Sequence, residues 1–499
     1  MSDTTHRICR AVAISALIGV FGAGPVFAQQ GRPLSASDWL SGSVRGPARE
    51  SSAWRPGQRP PPARDRSRPV AETGAVGAVQ VTRLDGGNPD SAGTITARKA
   101  GLPNDLWRGS TAATLSPMIQ QTPARLPAMN ALLRRVLLTQ LTPPETGPDQ
   151  PRQSGQLFLA RADRLLDMGA LDQAQALLMT AGPGDAQVFR RLFDIALLQG
   201  DEARACRIMN TTPGVAPSFS ARIFCLAQTG DWAAAAISLR GAEALDLIQP
   251  QQALLLTHFL DDGFVDAAET VPPSDRLTPL EFRIHEAIGQ PLPTVPLPLA
   301  FAQSDLRLNN GWKARLEAAE RLARAGAISP QRLRDIYAEQ KPAASGGVWE
   351  RAGAMRTMEA AIAAGDPLTA LPRAFDQFRA ADMADVLAGM IAGDLPQTPA
   401  PDANADAAQI SGWLRQWQGL PVDQPEDIPQ ELQAPPTQPT PERKGEGLLS
   451  AMADIDAGID GDLPRAARGL ATLRALGLTE DAGLATSQLA LRPHMAAAP

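Results

Sequence analysis

Side chains that could do covalent or metal chemistry are few in this 499-residue chain. Cysteine occurs at Cys9, Cys206 and Cys225, and histidine at His6, His258, His285 and His494. Cys206 and Cys225 flank "NTTPGVAP" (Asn210–Pro217), a turn-forming stretch between two helical patterns. Two helices joined that closely run antiparallel, so both thiols lie at comparable depth beyond the turn. In an oxidising compartment a disulfide is the default expectation, contributing ~3 kcal/mol for a loop of this size. Two buried reduced thiols are the alternative; a redox pair lacks its C-x-x-C spacing. "HEAIG" from His285 starts like a zinc-protease motif, but Gly289 stands where the second histidine belongs, so His285 reads as an ordinary helix position. No G-x-S-x-G, S-x-x-K or phosphate-binding glycine loop occurs. Carboxylate pairs such as Asp261/Asp262 and Glu317/Glu320 read as caps or solvated faces rather than a glycosidase dyad. The expectation is therefore no enzyme, no catalytic residue, no cofactor and no metal.

What remains chemically distinctive is aromatic and basic. Trp312 and Lys313 follow Asn309-Asn310-Gly311, Trp349 follows Ser345-Gly346-Gly347, and Tyr337, the sole tyrosine, lies between them. Such residues anchor irregular turns, or they form a partner-binding ridge on a concave face, because Trp and Tyr are enriched at interface hot spots. All four are carried as candidate partner-binding residues.

The elements that position these residues announce themselves through a repeat. Gly169 opens "GALDQA", Gly200 "GDEARA", Gly230 "GDWAAA" and Gly263 "GFVDAA", at spacings of 31, 30 and 33 residues. An alanine stands five residues after each glycine: Ala174, Ala205, Ala235 and Ala268. A glycine with positive φ ends one helix, an acidic residue such as Asp201 or Asp231 caps the next, and the alanine sits where two helices approach most closely. A helix pair recurring at this period predicts an all-α chain, an α-solenoid of tetratricopeptide-like pairs. The repeat domain is expected over 151–394, interrupted by a Pro-rich excursion around 271–300. A Pro-rich linker with one helix (Ala405–Trp417) is expected over 395–443, and a C-terminal helical segment over 444–499.

Ahead of this body, Arg7 and Arg10, an apolar run from Ala11 to Phe21 and Val26-Phe27-Ala28 make residues 1–28 a secretory signal peptide. Residues 29–150 are rich in Pro, Arg, Gly and Ser and are expected to be mostly disordered, with short docking segments. These are "SDWLSGSV" (Ser37–Val44), two strands around Asp85-Gly86-Gly87 within Val76–Ala97, and a helical stretch over Leu126–Leu141. A net charge of −6 and a pI near 5.5 give no electrostatic case for nucleic acid. No stretch after the leader offers ~20 uninterrupted apolar residues, so no transmembrane segment is expected once it is removed.

The runs "LFLARADRLLDMGALDQAQALL", "IFCLAQTGDWAAAA", "AIGQPLPTVPLPLAFAQSDL", "GWKARLEAAERLARAGAI" and "KPAASGGVWERA" resemble a family of exported bacterial proteins whose members carry the label "antifreeze glycopeptide". The resemblance runs from "GLPNDLWRGS" (Gly101–Ser110) to Trp349; the Ala-Ala-Thr repeats on which antifreeze glycopeptides depend are missing. In architecture alone the chain is similar to periplasmic motility proteins of the motility-protein-C kind, which act on the flagellar stator. It is similar also to the superhelical domain of soluble lytic transglycosylases, without their catalytic domain. The resulting expectation is a periplasmic, non-enzymatic adaptor that recruits envelope proteins of the flagellar stator or the cell-wall machinery. An enzyme or accessory factor acting on peptidoglycan is the alternative.

Overall fold

The computed structural model describes residues 88–145, 155–260, 270–433 and 439–497. The regular structure of the described residues is almost wholly helical, with two short strands. The signal-peptide stretch, Ser37–Val44, most of Val76–Ala97, Asp261/Asp262, and Gly263 with Ala268 lie outside them.

The stretch expected to be mostly disordered carries regular structure from residue 88 to residue 145. It holds β1 (Ile95–Thr96), α1 (Ala97–Ala100), α2 (Ala112–Gln121), α3 (Pro127–Leu138) and β2 (Thr139–Gln140). The two short strands pair in parallel, Ile95 opposite Thr139 and Thr96 opposite Gln140, so β1 pairs with a strand beyond α3 rather than in a local hairpin. The physical reason for order here is remote burial. Leu115, Ile119, Met129, Leu132, Leu133 and Val136 are spaced for amphipathic helices, and all are buried. Their cover comes from α4 (Gln156–Asp167) and, from the far end of the chain, α20 (Lys444–Ala457) and α22 (Thr479–Met495). Arg161 of α4 fastens the arrangement: fully buried, it donates to the carbonyls of Leu137, Thr139, Asp90 and Ala92.

From α4 the chain continues through α5 (Leu171–Ala181), α6 (Ala186–Gln199), α7 (Glu202–Thr211), α8 (Phe219–Gln228), α9 (Trp232–Ala244) and α10 (Pro250–Leu260). Each helix packs on the next, as short connections require. Gly169, Gly200 and Gly230 have φ of 69°, 81° and 89°, the left-handed turn that glycine adopts without steric cost. Ala174, Ala205 and Ala235 are all buried. Asp231 caps α9 through the Ala234 amide at 3.1 Å. Asp201 holds the equivalent position on α7 without a side-chain cap bond.

The Pro-rich excursion folds back over this array. Its helix α11 (Pro279–Ala287) packs on α10 and α6, and α12 (Ala302–Asp305) also packs on α6. Gln303 donates to the Gly169 carbonyl at 2.7 Å and Ser304 to that of Leu198 at 3.0 Å. Arg283 reaches Glu202 at 2.8 Å. The turn edge at Gly169 and Gly200 is thereby covered.

A second core follows in α13 (Trp312–Arg324), α14 (Pro330–Ala338), α15 (Val348–Ala363), α16 (Leu371–Arg379), α17 (Ala384–Ile391) and α18 (Ala405–Trp417). The stretch read as a linker contributes α18 to this core: Leu414 and Trp417 are buried, and α18 packs on α16, α17 and α22. Arg415 secures it by donating to the Leu395 and Pro421 carbonyls at 2.7 and 3.0 Å. After the short α19 (Gln430–Gln433), α20 and α21 (Leu463–Ala475) form a closely packed pair in which Gly469 lies directly against the Ala451 carbonyl. In α22, buried Gln488 accepts from the Ala128 amide and donates to the Trp417 carbonyl, tying α3 to α18.

Candidate functional site

Cys206 on α7 and Cys225 on α8 form a disulfide with their Cα atoms 5.1 Å apart, and both are fully buried. They share a core with Phe189, Phe193 and Phe224, away from solvent. A sulfur pair so enclosed holds two helices together and presents nothing for exchange.

The four aromatic and basic candidates separate. Trp312 opens α13 and is buried; its indole N–H donates to the Ile336 carbonyl at 3.0 Å, and its ring meets that of Trp349 with centroids 5.2 Å apart. Tyr337 is buried at the end of α14, its ring edge-on to Phe378 at 5.9 Å. Its hydroxyl donates to Glu320 at 2.7 Å, and Arg351 clamps the same carboxylate through Nε at 2.9 Å and a terminal nitrogen at 2.5 Å. Burial, then the Glu320 charge and hydrogen bond, push the Tyr337 phenol well above its ordinary range. Burial pulls the Arg351 guanidinium down, but the Glu320 bond and charge outweigh it and leave it above its usual value. Trp312 and Tyr337 are therefore turn and core anchors, and the binding-ridge expectation fails for both. The reason lies in the helix faces: Trp312 heads the stripe Leu316, Ala319, Ala323, and Tyr337 follows Leu333 and Ile336. Trp349 is half-buried, and only Lys313 is exposed, 3.5 Å from Glu317 on its own helix.

Beside Tyr337 a hollow of about 180 Å³ lies between α14 and α15, lined by Arg334, Met355, Arg356 and Glu359 among others. Arg334 is already engaged by Glu359 at 2.5 Å and Asp394 at 2.7 Å. A wider, open recess of about 430 Å³ adjoins β1 and β2, with Ser91, Thr96, Arg98, Asn104, Gln140 and Thr142 on its walls. Asn104 and Thr142 bond each other there, and Thr96 caps α1. Among the described residues no group of three or more His, Cys, Asp or Glu side chains is placed to hold a metal ion. His258 and His285 are buried, and burial holds the His285 imidazole below its usual range. His494 stacks on Trp413 at 4.3 Å.

One feature escaped the sequence reading. Trp232, Ile237 and Leu245 in and just after α9 are 50, 74 and 69 % exposed, and Leu254 on α10 is 42 % exposed. A signal was present: in "WAAAAISLRGAEAL" only Ser238, Arg240 and Glu243 are polar, more apolar positions than one buried helix face takes up.

The described residues thus form an all-α structure with a buried disulfide, buried ion pairs such as Arg351–Glu320, and apolar side chains left exposed on α9. No family model, curated protein or solved structure matches it.

Proposed function

We propose that the chain is an exported scaffold: a periplasmic helical-repeat adaptor whose body, 151–394, is of tetratricopeptide-like build and recruits other envelope proteins without chemistry of its own. The observation that carries this reading is the recurrence, at Gly169, Gly200 and Gly230, of a left-handed turn followed by a buried alanine between packed helices. Stacked pairs of this kind offer long exposed helix faces on which partners dock. The Cys206–Cys225 disulfide supports an oxidising compartment. Among the described residues no helix is long and apolar enough to cross a membrane. Partners at the flagellar stator or among peptidoglycan-associated proteins fit such an adaptor.

The test is affinity capture of the tagged chain from envelope extracts, blotted for stator and peptidoglycan-associated proteins, with fractionation alongside. Enrichment of one of them, with the chain in the periplasmic fraction, is the expected result. Recovery of the chain in the cytoplasm with free thiols overturns the export reading. Cleared murein in a zymogram replaces the scaffold with an enzyme.

A further inference from the structure

We propose that Asn310 is a site of spontaneous covalent modification: it loses its side-chain amide to the backbone nitrogen of Gly311 through a succinimide, which reopens to aspartate and isoaspartate. This goes beyond the scaffold reading and does not rest on it. Among the asparagines of the chain only Asn310 precedes a glycine. In Asn88-Pro89 the second residue has no N–H to give up. In every other pair a Cβ crowds the nitrogen that would have to attack.

The fold leaves this pair open to reaction. It lies in the irregular connection between α12 and α13. Leu308 there is 84 % exposed and Asn309 and Gly311 are exposed as well, so base and water reach the turn. The Gly311 N–H donates to no acceptor among the described residues, although the Gly311 carbonyl already accepts from the Arg315 amide at 3.1 Å. No atom lies within 4 Å of the place a Cβ of Gly311 would take, so a ring has room to close. Other asparagines are held differently. Asn130 lies inside α3, where the next N–H belongs to the helix, and Asn404 caps α18 by accepting from the Ala407 amide at 3.0 Å.

The reaction needs only water and a base. Base removes the Gly311 amide proton, and the nitrogen attacks Cγ of Asn310. The new N–Cγ bond forms, the Cγ–Nδ2 bond breaks, and ammonia leaves with the proton. Water then opens the succinimide. Cleavage between the nitrogen and Cγ leaves aspartate in an ordinary backbone. Cleavage between the nitrogen and the backbone carbonyl carbon leaves isoaspartate, with the chain running through the former side chain. Water is consumed, ammonia is released, and nothing is oxidised or reduced.

Both products disturb the join between the two cores. Asn310 Nδ2 donates to the Ser304 carbonyl at 2.9 Å, and Arg307 Nε donates to the same oxygen at 2.8 Å. A carboxylate has no proton to donate and sets a negative charge against that oxygen. Isoaspartate also lengthens the backbone by a methylene just ahead of Trp312, whose indole N–H bonds the Ile336 carbonyl.

The experiment is to age the full chain in warm, mildly alkaline buffer and map its peptides by mass spectrometry. Trypsin releases Leu308–Lys313, in which fragment ions separate Asn310 from Asn309. The expected result is that Asn310, ahead of every other asparagine, gains the mass difference between an amide and a carboxyl group. Part of the product should accept a methyl group from an isoaspartyl-specific methyltransferase, and the aged chain should melt at a lower midpoint than the fresh one. Gly311→Ala places its methyl in open space at a φ of −61°, so it keeps the fold and should lose both the mass gain and the drop on ageing. The proposal is overturned by an Asn310 that keeps its mass, by earlier modification of another asparagine, or by a product that accepts no methyl group. An unchanged rate in Gly311→Ala, or an aged chain that melts with the fresh one, overturns it as well.

Discussion

At the scale of single residues, the interior shows how buried polar groups are accommodated. Glu320, Tyr337 and Arg351 form a closed set: one carboxylate receives the phenol and both arms of the guanidinium. Tyr337→Phe should cost about 1.5–3 kcal/mol, the range for a hydrogen bond to a charged group, read as a lower midpoint in urea unfolding with an unchanged slope. Asp385, in the first turn of α17, is a contrasting case. Burial, with some help from Asp382, pushes its carboxyl up to about 6 although Arg492 opposes the shift. Between the ordinary carboxylate value and that raised one, the folded chain binds more protons than the unfolded chain. Asp385 therefore lowers stability as pH rises through that window. Asp385→Asn should stabilise the protein by on the order of 1–2 kcal/mol at pH 7, and the gain should vanish below about pH 4. Thermal midpoints of both proteins across that range check the sign.

At the scale of elements, the α7–α8 pair is held by the disulfide and by the packing of Phe224 and Met209 in one core. The closed loop spans a sequence separation of 19 residues, for which chain-entropy arguments give ~3 kcal/mol. Cys206→Ala with Cys225→Ala should lose about that much, and wild type under reductant should unfold near the double variant. Helix pairing here was readable in advance, because glycine, cap and small-residue crossing are all local signals. The faces of α13 and α14 were not. Trp312 follows an Asn-Asn-Gly turn and Tyr337 is the sole tyrosine, and residue types enriched at interfaces are equally at home in a core. Register on the helix decides instead, and register depends on where α13 begins and on which neighbour covers which side. The same limit hid the exposure of Ile237 on α9, since alanine at every position of Ala233–Ala236 is compatible with either side facing in.

At the scale of the whole described molecule, its early and late parts are one structure. Arg125 pairs with Asp456 at 2.7 Å and Asp460 at 2.6 Å, and Arg135 meets Asp481 at 2.5 Å. Asp456 is almost wholly buried, so removing its partner strands a carboxylate that keeps only the Arg125 backbone amide. Arg125→Ala should destabilise by about 2–4 kcal/mol. If the two ends form one cooperative unit, amide exchange should then quicken together in residues 112–138 and 444–475. Acceleration confined to one of these segments would show that they open independently.

The sequence by itself determined the local things: that the described residues are helical, where several helices end, and that Cys206 and Cys225 face one another across a turn. Each of these follows from spacing within a few turns of helix. Tertiary structure alone decided that α2 and α3 are ordered, that α18 belongs to a core, and that Trp312 and Tyr337 are inside while Ile237 is outside. Those outcomes rest on contacts between segments as much as 360 positions apart, as in the Ala128–Gln488 hydrogen bond. Burial is a property of the surface that arrives to cover a residue, and no pattern around the residue itself records which surface that is.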